Sequence, residues 1–367
     1  MLKNNTFIYL LIPFVFISCG QEAAEEQTRV SELPTITPEK LIASESAGDF
    51  YFDHLGYFSI PLPEGEFLLP DRSQSRLYHL NEDISLLSVA ASEGQGPGEM
   101  EDPNFLTLSS EGGGLVYDQA NSKVLEFNGE GVYENEFVLP AGETANSTDI
   151  YQLDESLYIV VFRSFEYLGN LDSEPKAYLT VYDKEKDAYI FTREISDRAF
   201  ARNVIDGEPR GGRQVPFTAE HLRAYNPKDE TLSLYWSGSD EIATVNADLD
   251  TLSTISIDLH SEELGSEERE QILDDTPDGA LAEMEKLLPE TKSIADDMII
   301  DTEGRHWLHL NHQSEYEQWA IINEDGEPEK IVQLPEDSML LHVSRHHLGV
   351  RLDHHLFALF ENVSSGN

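Results

Sequence analysis

The chain repeats one short plan: a strand-length apolar run, a turn opened by Asp or Asn, and a second strand-length run. In Gly114-Leu115-Val116-Tyr117-Asp118 the run ends on Asp, Gln119-Ala120-Asn121-Ser122 turns, and Lys123-Val124-Leu125-Glu126-Phe127 returns. Phe67-Leu68-Leu69-Pro70-Asp71, Arg72-Ser73-Gln74-Ser75 and Arg76-Leu77-Tyr78-His79-Leu80 repeat the plan. Runs rich in β-branched and aromatic residues recur at Leu157–Phe162, Tyr178–Tyr182, Leu232–Trp236, Trp307–Leu310 and Trp319–Ile322. Such runs bounded by turn residues read as strands. A hairpin recurring along a chain is the signature of a propeller blade. At roughly 40–50 residues per blade, residues 50–362 hold about six or seven. The stretch 261–290 breaks the pattern and favours six. Glu262, Glu267, Glu268 and Glu270 are helix formers there, and Leu281, Met284, Leu287 and Leu288 fall on one helical stripe. The expected fold is all-β, a six-bladed propeller over residues 47–362 with a helical insertion at about 261–290 and a tail at 363–367.

The N-terminus reads as an address. Lys3 precedes the apolar run Phe7–Ile17, which is too short to span a bilayer. Ser18-Cys19-Gly20 follows, and Cys19 is the only cysteine of the 367 residues. Residues 1–18 thus read as a signal peptide. Cys19 is either the lipidated first residue of an anchored protein or incidental to a cleaved secretory signal. Residues 19–46, polar and acidic with Pro34 and Pro38, read as a flexible tether.

The junction Glu93-Gly94-Gln95-Gly96-Pro97-Gly98-Glu99 resembles the G-x-G-P-G-E junction of six-bladed β-propeller lipoproteins of Bacteroidetes-type bacteria, relatives of the NHL and TolB-like propellers. Met298-Ile299-Ile300-Asp301, Gly304-Arg305-His306-Trp307 and Trp319 are similar to a C-terminal blade of the same family, with His306 standing where an aliphatic residue is usual. The resemblance implies a propeller fold and an outer-membrane location, lipid-anchored on the periplasmic side or at the cell surface. It implies no activity.

Composition removes several functions. Asp and Glu total 70 against 24 Lys and Arg, a net charge of −46. Nucleic-acid binding needs clustered basic side chains and is excluded on this reading. One cysteine rules out a disulfide framework. No HExxH, GxSxG, Walker or CxxC motif occurs. No cofactor is expected, although two divalent-metal readings remain. Late histidines, His306 and His312 with His346 or His354, have the donor chemistry for zinc. Acidic pairs such as Asp296-Asp297, Asp248 with Asp250, and Asp274-Asp275 have it for calcium. Gly94, Gly96, Pro97, Gly98 and Glu99 read as a blade-to-blade turn rather than a phosphate cradle. Among the few basic residues, Arg163, Arg210 and Arg213 are candidates for gripping an anionic ligand through the guanidinium fork. Gly207–Val215 is then a flexible loop reaching over the propeller mouth. Tyr235, Trp236, Trp307 and Trp319 belong to the inter-blade core. The sequence fits a non-enzymatic binding scaffold for an envelope protein, peptide or glycan. The alternative is a metal-dependent hydrolase or lyase with its site in the central channel.

Overall fold

The computed structural model describes residues 28–46, 51–109, 112–140, 145–170, 173–226 and 229–364. Their strands group into six sheets of four or five and one separate hairpin. Each sheet is a blade, and the blades follow one another around an axis. Their innermost strands are Ile60–Pro61, Pro103–Leu108, Ala145–Gln152, His221–Asn226, Ala295–Ile300 and Met339–Val343. The second strand of a blade is covered on both faces by its neighbours. Phe67–Asp71, Gly114–Asp118 and His347–Arg351 are accordingly buried at every residue, which is why they read as continuous apolar runs. Outermost strands such as Leu86–Glu93 are mostly exposed. Trp307, Trp319 and Tyr235 are fully buried between blades.

The Asp that ends the second strand does more than open a turn. Asp71 accepts the backbone N–H groups of Asp53 and His54, and Asp118 those of Glu101 and Asp102. Each pins the segment leading into its own blade's inner strand. A second repeated device closes the outer hairpin of four blades. Asn81, Asn128, Asn246 and Asn323 each accept the N–H groups two and four residues on. The residue three positions on takes a positive φ: Ile84, Gly131, Leu249 and Gly326. Glycine is required at Gly326, where a Cβ would lie 1.8 Å from the Ser256 carbonyl of the preceding blade. Ile84 and Leu249 bear the strained backbone because their side chains are fully buried.

Over residues 28–46 the structure corrects the expected tether. Thr35–Ile36 joins the fifth blade in parallel beside Ile331–Val332. Lys40–Ala43 pairs antiparallel with Phe357–Glu361 and supplies the outermost strand of the sixth. A strand near the N-terminus and the last described strand therefore close the ring together. Thr28, Val30 and Leu33 also dock. Thr28 donates to Asp258 from its N–H and its hydroxyl, and Val30 and Leu33 pack on the core between the fourth and fifth blades. These short segments are ordered because they complete sheets whose edges would otherwise be open. Residues 1–18 and Cys19 lie outside the described residues.

Two insertions rise beside the face on which each inner strand begins, here called the upper face. The helices Ser266–Asp274 and Asp278–Leu287 fulfil the expected helical insertion. The supposed loop at Gly207–Val215 is instead largely the second strand of the hairpin Phe200–Ile205 with Glu208–Gln214. It packs on the helices through Ala201, Val215, Leu264, Ala280, Met284 and Leu288. Arg202 clamps the two insertions together, with its guanidinium and its own N–H both on Glu283.

Candidate functional site

The inner strands enclose a cavity of about 370 Å³ along the propeller axis, lined from all six blades. Its two walls differ. The first, second and sixth blades contribute Phe58, Phe105, Leu106, Leu340 and Leu341. The third, fourth and fifth contribute Asp149, Arg163, Arg223, Asp296 and Asp297, with Arg198 and Glu220 from the segment leading into the fourth. Aromatic rings continue from the apolar wall into the third blade: Phe58 meets Phe105 edge-on at 4.6 Å, and Phe105 meets Tyr151 at 5.4 Å. Tyr225 lies 6.4 Å beyond.

The charged wall is a set of ion pairs, one of which joins the third blade to the fourth. Arg223 places Nε and Nη2 on Asp149 Oδ2 at 3.0 and 2.6 Å. Arg163 pairs with Asp197 at 2.5 Å. Arg198 pairs with Glu220 at 3.7 Å and donates to Gln214 of the hairpin at 2.7 Å. Burial pushes the Glu220 carboxyl above its ordinary range, and the nearby arginines hold it down only in part.

The Asp296-Asp297 pair divides its work. Asp296 accepts from His309 Nδ1 at 2.6 Å, and His309 Nε2 lies 2.9 Å from Glu317. A ring held by carboxylates at both nitrogens donates from both, which only the imidazolium can do. Burial opposes that charge, but the two carboxylates outweigh it and raise the His309 pKa to about 10. Asp297 faces the cavity and is open to water. Protein still surrounds it, and this burial, followed by the like charge of Asp296, pushes its carboxyl up to about 6. Among the described residues its donor is the N–H of Met298 at 2.8 Å.

The structure does not bring the expected arginines together. Arg163 lines the cavity. Arg210 is exposed on the hairpin and paired with Glu208. Arg213 donates to the Asp275 carbonyl and ties the hairpin to the helices. The histidine set is dispersed as well. His306 is buried between the fourth and fifth blades against the Ser233 hydroxyl, and burial lowers its pKa to about 4. His312 pairs with Glu262. His346 is exposed in the turn after the sixth inner strand. His354 stacks on His54 at 4.7 Å. Among the described residues no group of three His, Cys, Asp or Glu side chains is arranged to hold a metal ion.

The junction glycines form a packed turn. Gly94 and Gly98 take positive φ. The Gly96 N–H donates to the Glu99 carboxylate and that of Gly98 to Glu136. Buried Lys123 donates to the carbonyls of Gly96 and Glu99. The chain's own carboxylates thus occupy the N–H groups a phosphate would need, while Pro97 has none to offer.

No family model and no curated protein matches the chain. Among solved structures it is similar to a Bacteroides fragilis protein described as exported, at 12% identity and a TM-score of 0.50, over 91% of this chain and 99% of that one. A member of the DUF4221 family from Bacteroides vulgatus matches at 12% identity and a TM-score of 0.46, over 89% and 97%. Virginiamycin B lyase from Staphylococcus aureus matches at 9% identity and 0.44, over 84% and 94%. The first similarity supports the propeller fold and nothing beyond it.

Proposed function

We propose that the protein is a ligand-binding propeller of the cell envelope, anchored through lipid on Cys19, that takes a small molecule or the end of a larger one into its axial channel. The observation that carries the reading is the asymmetric cavity. A channel that served only to close the ring would be filled by similar side chains from every blade. This one sets aromatic and aliphatic groups against a belt of fixed charges, the lining expected of a small-ligand site. The ion pairs preset that belt, so charged groups need no rearrangement on binding. The signal-like N-terminus and the resemblance to envelope lipoproteins support the location.

Native mass spectrometry of the full-length protein released from membranes tests the binding. A retained small molecule that Thr107→Trp expels is the expected result, because the indole would fill the channel from the second blade. A bound mass unaffected by that substitution, or no bound mass and no ligand-dependent stabilisation, overturns the reading. For the anchor, Cys19→Ala releases the protein from the membrane fraction; continued retention overturns it.

A further inference from the structure

We infer that the channel ligand is an organic cation, an amine bearing an apolar body. The inference rests on the reading of the channel as a ligand site and names the chemistry of its occupant.

The charge balance of the wall is the first ground. Asp149, Asp296 and Asp297 face the cavity together. Arg223 neutralises Asp149 and His309 neutralises Asp296. Arg163 and Arg198 are committed to Asp197 and Glu220. Asp297 forms no ion pair among the described residues, and the His309 imidazolium whose charge reaches it is already held by Asp296 and Glu317, so the channel carries more carboxylate than its own cations balance. Asp297 is open to the channel and its water, and an ammonium group entering there would meet it in a charge-assisted hydrogen bond.

The opposite wall is the second ground. The rings of Phe58, Phe105 and Tyr151 line the same space, an apolar and aromatic wall suited to the body of an organic cation. Tyr225 Oη, on a cavity-lining residue more than nine-tenths buried, is also unpartnered among the described residues. An orphaned buried group in a cavity wall marks a place that a bound molecule completes, and a phenol oxygen can accept an N–H bond. The Arg198 Nε donor is unpartnered as well, while the His342 ring is turned onto Gly349 and against Phe67 and Phe357.

Other ligand classes fit less well. An anion would find every guanidinium of the charged wall already on a carboxylate, within a chain of net charge −46 that repels anions and draws cations. A divalent metal would sit beside the fixed positive charge of Arg223, in a wall without three disposed ligands among the described residues.

Isothermal titration of the full-length protein in detergent separates these. The probes are phenethylamine, its neutral isostere 2-phenylethanol, the anion 3-phenylpropionate, and calcium chloride. Phenethylamine binds and the others do not; Asp297→Asn weakens it about tenfold or more, the scale of a lost charge-assisted bond, and Asp297→Glu restores part of the affinity. Amine binding indifferent to Asp297→Asn overturns the inference. So does binding of the alcohol, the carboxylate or calcium in preference to the amine; if Thr107→Trp abolishes that binding, the channel site itself survives. Binding by none of the probes also overturns the inference, leaving the channel reading to the mass-spectrometric test.

Discussion

His309 gives the charged wall a pH signature that can be worked out in advance. Replacing it by Gln removes the charge and keeps a polar side chain of related reach. A pKa raised from 6.5 to about 10 corresponds to roughly 5 kcal/mol of preference for the charged ring in the folded chain. Solvent trims this, because the Asp296 side chain is 47% exposed and that of Glu317 25%. About 2 kcal/mol is the amount expected in an experiment. The sign follows from the direction of the shift. A base whose folded pKa is raised contributes fully below its unfolded value, and the contribution fades as pH climbs to the folded value. The wild-type advantage over His309→Gln is thus largest near pH 6, declines between 6.5 and 10, and is gone above that range. Urea unfolding of both proteins across this range, at fixed salt, reads it directly. An advantage that stays constant from pH 6 to 10, or grows, refutes the reasoning, because the ring would then not be charged between its two carboxylates.

Three further outcomes are expected. A chain beginning at residue 47 lacks the strands that finish the fifth and sixth blades, and loses about 5 kcal/mol or more in denaturant unfolding through exposed apolar surface; it also aggregates through the bared edge of Phe357–Glu361, and equal stability would count against the closure. Gly326→Ala collides with the Ser256 carbonyl and lowers stability by about 2 kcal/mol or more, whereas Gly112→Ala, with open space around it, costs about 1 kcal/mol; equal losses would refute the packing argument. The melting temperature rises with NaCl, because salt screens the repulsion of a −46 chain, and a flat response would dismiss charge repulsion as a force acting on this fold.

The blade strands were legible because a strand covered on both sides must be apolar, and Leu232–Trp236 or Trp319–Ile322 announce that in one line of sequence. Lys40-Leu41-Ile42-Ala43 did not, since Lys40 and Leu41 are exposed and the segment becomes a strand only beside Phe357–Glu361. Glu208–Gln214 holds two glycines, a proline and two arginines, and is extended through its pairing with Phe200–Ile205 rather than by its own propensity. At the site, Arg163 and Asp296-Asp297 stood out as oddities of charge. The partners of the wall's arginines, Asp149, Asp197 and Glu220, did not, because each pair is brought together by the fold, across two blades for Arg223 and Asp149 and across strands or the hairpin for the others, and no spacing records it. The late histidines share a stretch of sequence but face different seams and turns of the ring, so their clustering in sequence was no guide to a site.

The joint between Lys40–Ala43 and Phe357–Glu361 sets an order of events. Lys40–Ala43 is synthesised long before its partner Phe357–Glu361, so the circle stays open until that distant strand has been made. Joining segments from opposite ends of a chain is also the entropically slowest contact to make. A polypeptide threaded unfolded through a membrane would therefore carry no closed ring to obstruct its passage, and would lock only once its tail had arrived.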